Sequence, residues 1–190
     1  MAPIALLIAG LAGLGLMAAP PLSFRQSAFL PGKNGPPLGW TVWNARPETA
    51  PRAYVERVVN RGEPGALAIS GAGNAAANGG WEHSVLGVRA GSWYRFTAFY
   101  RFWGAPAESW QVLARLDWRR PDGRRAGEPN HVPITTPDGE WKKCTLDAQA
   151  PAESDRVVMQ LYLSNAPLGT VVWDDVSLEE IAAPGARDAR

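Results

Sequence analysis

What most constrains this chain is a period of two. Between residues 39 and 181, apolar and polar residues alternate in short runs, each closed by a cluster of Gly, Pro, Asn or Asp. Successive side chains of an extended strand point to opposite faces, so such runs read as strands with one buried face. The runs are 39–43, 52–59, 66–70, 81–88, 93–103, 111–119, 140–146, 156–164 and 170–181. Between them lie turn clusters such as Asn60-Arg61-Gly62-Glu63-Pro64-Gly65, Arg89-Ala90-Gly91, Pro121-Asp122-Gly123 and Pro137-Asp138-Gly139, which supply the backbone freedom and local hydrogen bonds that tight turns need. About nine strands with almost no helix predict an all-β antiparallel β-sandwich or jelly roll. A length of 190 residues suffices for one such core with short tails and is too short for two ordinary domains.

Alternation also sorts each strand into two faces. In 93–103 the buried set is Tyr94, Phe96, Ala98, Tyr100 and Phe102, against Arg95, Thr97, Phe99, Arg101 and Trp103. In 111–119, Val112, Ala114, Leu116 and Trp118 oppose Gln111, Arg115, Asp117 and Arg119. In 156–164, Val157, Met159, Leu161 and Leu163 oppose Val158, Gln160, Tyr162 and Ser164. If these three strands are neighbours in one sheet, Phe99, Arg101, Arg115, Asp117, Gln160 and Tyr162 form a continuous surface. Its chemistry suits a sugar: a ring stacks on the apolar face of a pyranose while planar groups bond to the hydroxyls around it. A solvated sandwich face has a similar composition. Of the nine Trp, Trp118 and Trp173 read as core or sheet-edge residues, while Trp81, Trp103 and Trp110, beside turns or at strand ends, read as platform candidates.

Residues 1–22 carry no charged side chain, and an apolar run over 4–17 ends in Ala18-Ala19-Pro20-Pro21. This reads as a secretory signal peptide or an N-terminal membrane anchor, which makes the protein secreted or periplasmic, or else anchored facing outside. The domain then covers 23–182, and 183–190 is a flexible tail or linker. A net charge of +1 provides no global field for nucleic acid or an anionic membrane. The single cysteine, Cys144, excludes an internal disulfide and reads as a small strand residue.

In order along the chain, Gly80-Trp81-Glu82-His83-Ser84-Val85-Leu86-Gly87-Val88, Ala90-Gly91-Ser92-Trp93-Tyr94-Arg95-Phe96, Gly139-Glu140-Trp141-Lys142-Lys143, and Gly169-Thr170-Val171-Val172-Trp173-Asp174-Asp175-Val176-Ser177-Leu178 resemble the galactose-binding-like jelly rolls. Within that group the chain is similar to the cellulose- and xylan-binding modules of families four and nine, over about residues 40–181. The resemblance implies an accessory module beside a hydrolase, or a domain with a structural or interdomain role. It also implies a structural calcium held near the acidic pair of the last strand. In 172–178 the inward set reads as Val172, Asp174, Val176 and Leu178, so Asp174 is the metal candidate, with backbone carbonyls of 33–38 completing the shell. That segment lacks the acidic residue the pattern usually carries there, and backbone hydrogen bonding to Asp174 is the alternative.

No pair of carboxylates flanking a bond, nucleophile beside a base, H-E-x-x-H, G-x-S-x-G or phosphate-cradling glycine loop is legible, so no catalysis is expected. His83 shares a face with Trp81 and would border a groove, or else stand as a hydrogen-bonded surface histidine. Two readings follow. One is a carbohydrate-binding module that engages a polysaccharide or glycoconjugate through Trp81, His83, Phe99, Arg101, Trp103, Arg115, Asp117, Gln160 and Tyr162. The other is a structural or interaction sandwich that orients a neighbouring catalytic domain.

Overall fold

The alternating runs become strands, and their apolar sides meet across a two-sheet sandwich. The computed structural model describes residues 19–33 and 35–185, without the side chains of residues 134 and 135. Most of the expected leader and residues 186–190 of the expected tail lie outside the described residues. Among the described residues twelve strands form: β1 (Ser23–Gln26), β2 (Trp40–Asn44), β3 (Arg52–Glu56), β4 (Ala66–Ser70), β5 (Asn78–Leu86), β6 (Trp93–Trp103), β7 (Val112–Arg119), β8 (Asn130–Val132), β9 (Ile134–Asp138), β10 (Trp141–Gln149), β11 (Arg156–Ser164) and β12 (Thr170–Ile181). A single helical turn, α1 (Glu108–Gln111), precedes β7.

Every pairing is antiparallel. One sheet runs β3-β4-β12-β6-β10-β9, with β1 also on β12, and the other runs β2-β5-β11-β7-β8. The jelly-roll sandwich expected from the sequence is therefore present, with three strands more than the nine expected. Alternation placed the inner faces of β6, β7 and β11 correctly. Tyr94, Phe96, Ala98 and Tyr100 from one sheet meet Val112, Leu116, Trp118, Val157, Met159, Leu161 and Leu163 from the other. Trp118 and Trp173 are fully buried, and truncating a ring in such a position costs about 3–5 kcal/mol. Cys144 is a buried strand residue in β10, and burial pushes its thiol up to about 12.

Residues 24–39, where no alternating run is legible, begin with β1, whose Phe24 lies opposite Leu178 of β12. Phe29 then plugs one end of the core, its ring 5.8 Å from that of Trp40. Close approaches, one to backbone and one to a ring, fix two glycines. A Cβ on Gly80 would lie 2.1 Å from the Leu161 carbonyl oxygen, and one on Gly39, at φ +80°, would lie 2.6 Å from the His83 ring.

Candidate functional site

The surface expected from the sequence divides between the two outer faces of the sandwich. β6 belongs to the seven-stranded sheet, whereas β7 and β11 are paired in the five-stranded one. The chain crosses from one sheet to the other between β6 and β7, so strands adjacent in sequence are not adjacent in space. Phe99, Arg101 and Trp103 thus lie on the opposite side of the molecule from Arg115, Asp117, Gln160 and Tyr162. Trp81 is not a platform: it is 2 % exposed, and its Nε1 donates to the Ala68 carbonyl at 3.0 Å. The same alternation points His83 inward, where its ring lies 4.5 Å from Phe24 and 5.2 Å from Trp40. Burial lowers the pKa of this histidine, which closes the end of the core rather than bordering an outer groove.

The five-stranded sheet brings together what the sequence separated. Register aligns Thr41, Glu82, Gln160, Arg115 and His131 in one row across β2, β5, β11, β7 and β8. Within it the Gln160 amide donates to Glu82 at 2.9 Å and accepts from Nε of Arg115. Beside this row Trp43 and Tyr162 meet edge to face at 5.7 Å. The Arg115 guanidinium lies 5.3 Å from the centre of the first ring and 5.4 Å from that of the second. Tyr162 is 6 % exposed and Trp43 is half-buried, so Trp43 offers the more accessible ring. Trp43 and Glu82 were missed, although a signal existed: Trp40 faces inward, so period two sends Trp43 outward. Below the row, the fully buried Asp117 accepts from Arg119 and lies 3.2 Å from Nε of Arg125.

The outer face of the seven-stranded sheet is organised by Arg61, which alternation could not single out because it lies in a turn cluster. Its guanidinium lies 3.7 Å from the centre of the Phe99 ring and pairs with Asp138 and Asp175 at 2.8 Å each. Under this strap, Ala66, Ala68, Trp141 and Val172 form a second small apolar cluster. Arg101 pairs with Glu140 at 3.1 Å. A groove of about 530 Å³ runs beside the strap, between Arg25, Arg61, Phe99, Lys143, Asp175 and Glu179. Trp103, 45 % exposed, ends β6, and Trp110, 80 % exposed, stands on α1.

Asp174 also faces this side. It pairs with Phe99, and Val172 with Arg101, so both point outward rather than inward as expected. A β-bulge between Asp174 and Ser177, with Asp175 at φ +47°, then shifts the phase so that Val176 and Leu178 point into the core. The carboxylate accepts the backbone N–H groups of Arg61 at 2.7 Å and Asp175 at 2.8 Å. Calcium needs six to eight oxygens. Here both Asp174 oxygens receive N–H donors, Asp175 is held by Arg61, and among the described residues no group of three or more His, Cys, Asp or Glu could hold a metal ion. This donor set does not fit calcium.

Burial pushes the Asp174 carboxyl from its ordinary 3.8 up to about 6, against the pull of the two N–H groups and Arg61. The folded protein then holds the proton more tightly than the unfolded chain does. The group's stabilising contribution is thus fully present below about pH 3.8 and is lost as the pH rises to about 6. A shift of this size corresponds to about 3 kcal/mol. Asp147, held low by Arg95, slopes the other way, so the informative quantity is a difference between proteins. Urea unfolding of wild type and Asp174→Asn at several pH values is expected to show a fall across this window in wild type that the variant lacks. Parallel profiles would mean that the carboxyl stays ionised throughout.

No protein-family model matches the sequence, and no curated protein does. Solved structures do. The enzymatically active domain of tailspike protein 4 from bacteriophage CBA120 matches with a TM-score of 0.60 at 11 % identity, over 76 % of this chain and 20 % of that one. The CBM22-1–GH10 modules of endo-1,4-β-D-xylanase 10B from Clostridium thermocellum match with a TM-score of 0.56 at 11 % identity, over 80 % of this chain and 28 % of that one. The present chain therefore spans less than a third of either chain. The CBM22-1 xylan-binding domain of Paenibacillus barcinonensis Xyn10C matches nearly end to end, with a TM-score of 0.58 at 14 % identity, over 84 % of this chain and 94 % of that one. The motifs suggested modules of families four and nine, and the carbohydrate-binding neighbours named here are of family 22. At these identities the likeness concerns the fold, and in fold this chain is an antiparallel β-sandwich jelly roll similar to the carbohydrate-binding modules.

Proposed function

We propose that this chain is a non-catalytic module that binds a polysaccharide on the outer face of its five-stranded sheet. One observation carries the reading: a hydrogen-bonded row of planar polar groups, Glu82, Gln160 and Arg115, lies against the paired rings of Trp43 and Tyr162. Rings offer apolar faces to sugar C–H groups, and the row offers both donors and acceptors to hydroxyls. The fixed geometry of Gln160, bonded at both ends, lowers the ordering cost of binding. The xylan-binding domain with this fold makes xylan the first polymer to test. On this reading the protein works outside the cytoplasm, where such polymers are met, in company with a polysaccharide hydrolase.

Affinity electrophoresis through gels containing xylan, β-glucan, mannan, pectin or no polymer tests the proposal. Retardation by at least one polymer is expected, unchanged between calcium and chelator. A second reading, an interaction domain that supports a catalytic neighbour, draws on the burial of Tyr162 and on the side chains that already fill this face. Migration identical in all gels, for a protein shown to be folded, would favour that second reading.

A further inference from the structure

Charge on the candidate face is unevenly distributed. Elsewhere along this end of the sandwich arginines are matched one to one: Arg120 with Glu153 at 3.0 Å, Arg124 with Asp122 at 3.7 Å and Arg156 with Asp155 at 3.0 Å. On the β7 side of the face three guanidinium groups, Arg115, Arg119 and Arg125, have one carboxylate, Asp117, among them. Arg119 and Arg125 lie directly opposite one another across an antiparallel bridge, an arrangement that like charges disfavour. Both bond to the buried Asp117, which neutralises one of them. Arg115 bonds to a neutral amide. Arg125 meets Asp117 through Nε rather than through its terminal fork, and its side chain, beside that of Arg119, is 51 % exposed.

A guanidinium fork is the natural partner of a planar carboxylate. Resting on the carbohydrate-binding reading above, we infer that the polymer bound here is acidic, with uronate residues whose carboxylates dock on Arg125 and Arg119. Asp117 then serves as a positioning residue that holds both arginines on the face. Arg115 lies four residues along β7 from Arg119, about 13 Å away, so the ring platform and the anion site would engage different sugars of one chain. The C–H face of one sugar meets Trp43 and Tyr162, and the carboxylate of another meets the arginine pair.

A matched pair of polymers tests this: glucuronoxylan, polygalacturonate or alginate, each beside the same polymer with its uronates reduced to neutral sugars. Tight binding is expected for at least one acidic polymer. Its carboxyl-reduced form is expected to bind at least about fivefold more weakly, and added salt to weaken only the acidic complex. Arg125→Ala, an exposed change, is expected to remove this difference and leave binding of the reduced polymer unaltered. Equal binding of the acidic and reduced forms would overturn the inference and leave the carbohydrate-binding reading standing. Absence of binding to every polymer of either form would overturn both.

Discussion

Trp43→Ala is expected to weaken polysaccharide binding about ten- to a hundredfold while the protein stays folded. Trp43 lies on β2, an edge strand of the five-stranded sheet, and its half-buried ring is the most accessible aromatic surface beside the polar row. Truncation removes the stacking surface and the cation–π partner of Arg115 together. Central Trp and Arg side chains of a binding face commonly contribute about 2 kcal/mol or more each, and about 1.4–2.8 kcal/mol corresponds to the stated range. The stability cost is smaller because the ring is outside the core: about 1 kcal/mol, or roughly 2–4 °C in Tm for a domain of this size. Trp103→Ala and Trp110→Ala are the controls, since these exposed rings stand on the other sheet and on α1. Calorimetric titration with the polymer found by electrophoresis, alongside thermal unfolding, separates the two effects. Loss of binding in Trp103→Ala or Trp110→Ala with Trp43→Ala unaffected would move the platform to the end of the sandwich.

Much of this fold was legible because burial imposes period two, and a strand of eight to twelve residues repeats that period several times. β6, β7, β11 and β12 were read with nearly correct bounds for that reason. β1 and β8, of four and three residues, contain too few repeats to stand out, and β9 includes Pro137, which only an edge strand tolerates. The site was less legible for two further reasons. Alternation assigns a residue to a face but not a strand to a sheet, so Phe99 and Arg115 were joined although the chain crosses between sheets before β7. A one-residue bulge is silent in an apolar pattern, so Asp174 was placed inward when its neighbours Val176 and Leu178 were placed correctly. Arg115, Gln160 and Tyr162 were found because β7 and β11 are true neighbours. Glu82 joins the row through register, a property of paired strands that no single run contains, whereas the outward face of Trp43 was legible from Trp40.

Asp117 was read from sequence as a sugar-binding residue, and the structure gives it a larger role in stability. Asp117→Ala is expected to lose about 2–4 kcal/mol, or roughly 5–15 °C in Tm. The carboxylate has no exposed surface and lies between two arginines that face each other across a bridge. Its removal therefore leaves two cations opposed at close range, together with the hole the side chain filled. Arg119 and Arg125 are partly exposed, with side-chain exposures of 29 % and 51 %, and solvent screening of their repulsion keeps the loss below that of a fully buried pair broken in the core. Two consequences separate charge from packing. Asp117→Asn, which keeps the shape, is expected to be destabilised nearly as much, and salt is expected to restore part of the loss in both variants. Adding Arg125→Ala to Asp117→Ala removes the repulsion, so the double variant is expected to be more stable than Asp117→Ala alone, a non-additivity that only contacting residues show. Denaturant unfolding of the four proteins measures the coupling. Additive losses, or an Asp117→Ala protein as stable as wild type, would show that the arginines do not depend on this carboxylate and would return Asp117 to the list of direct ligand contacts.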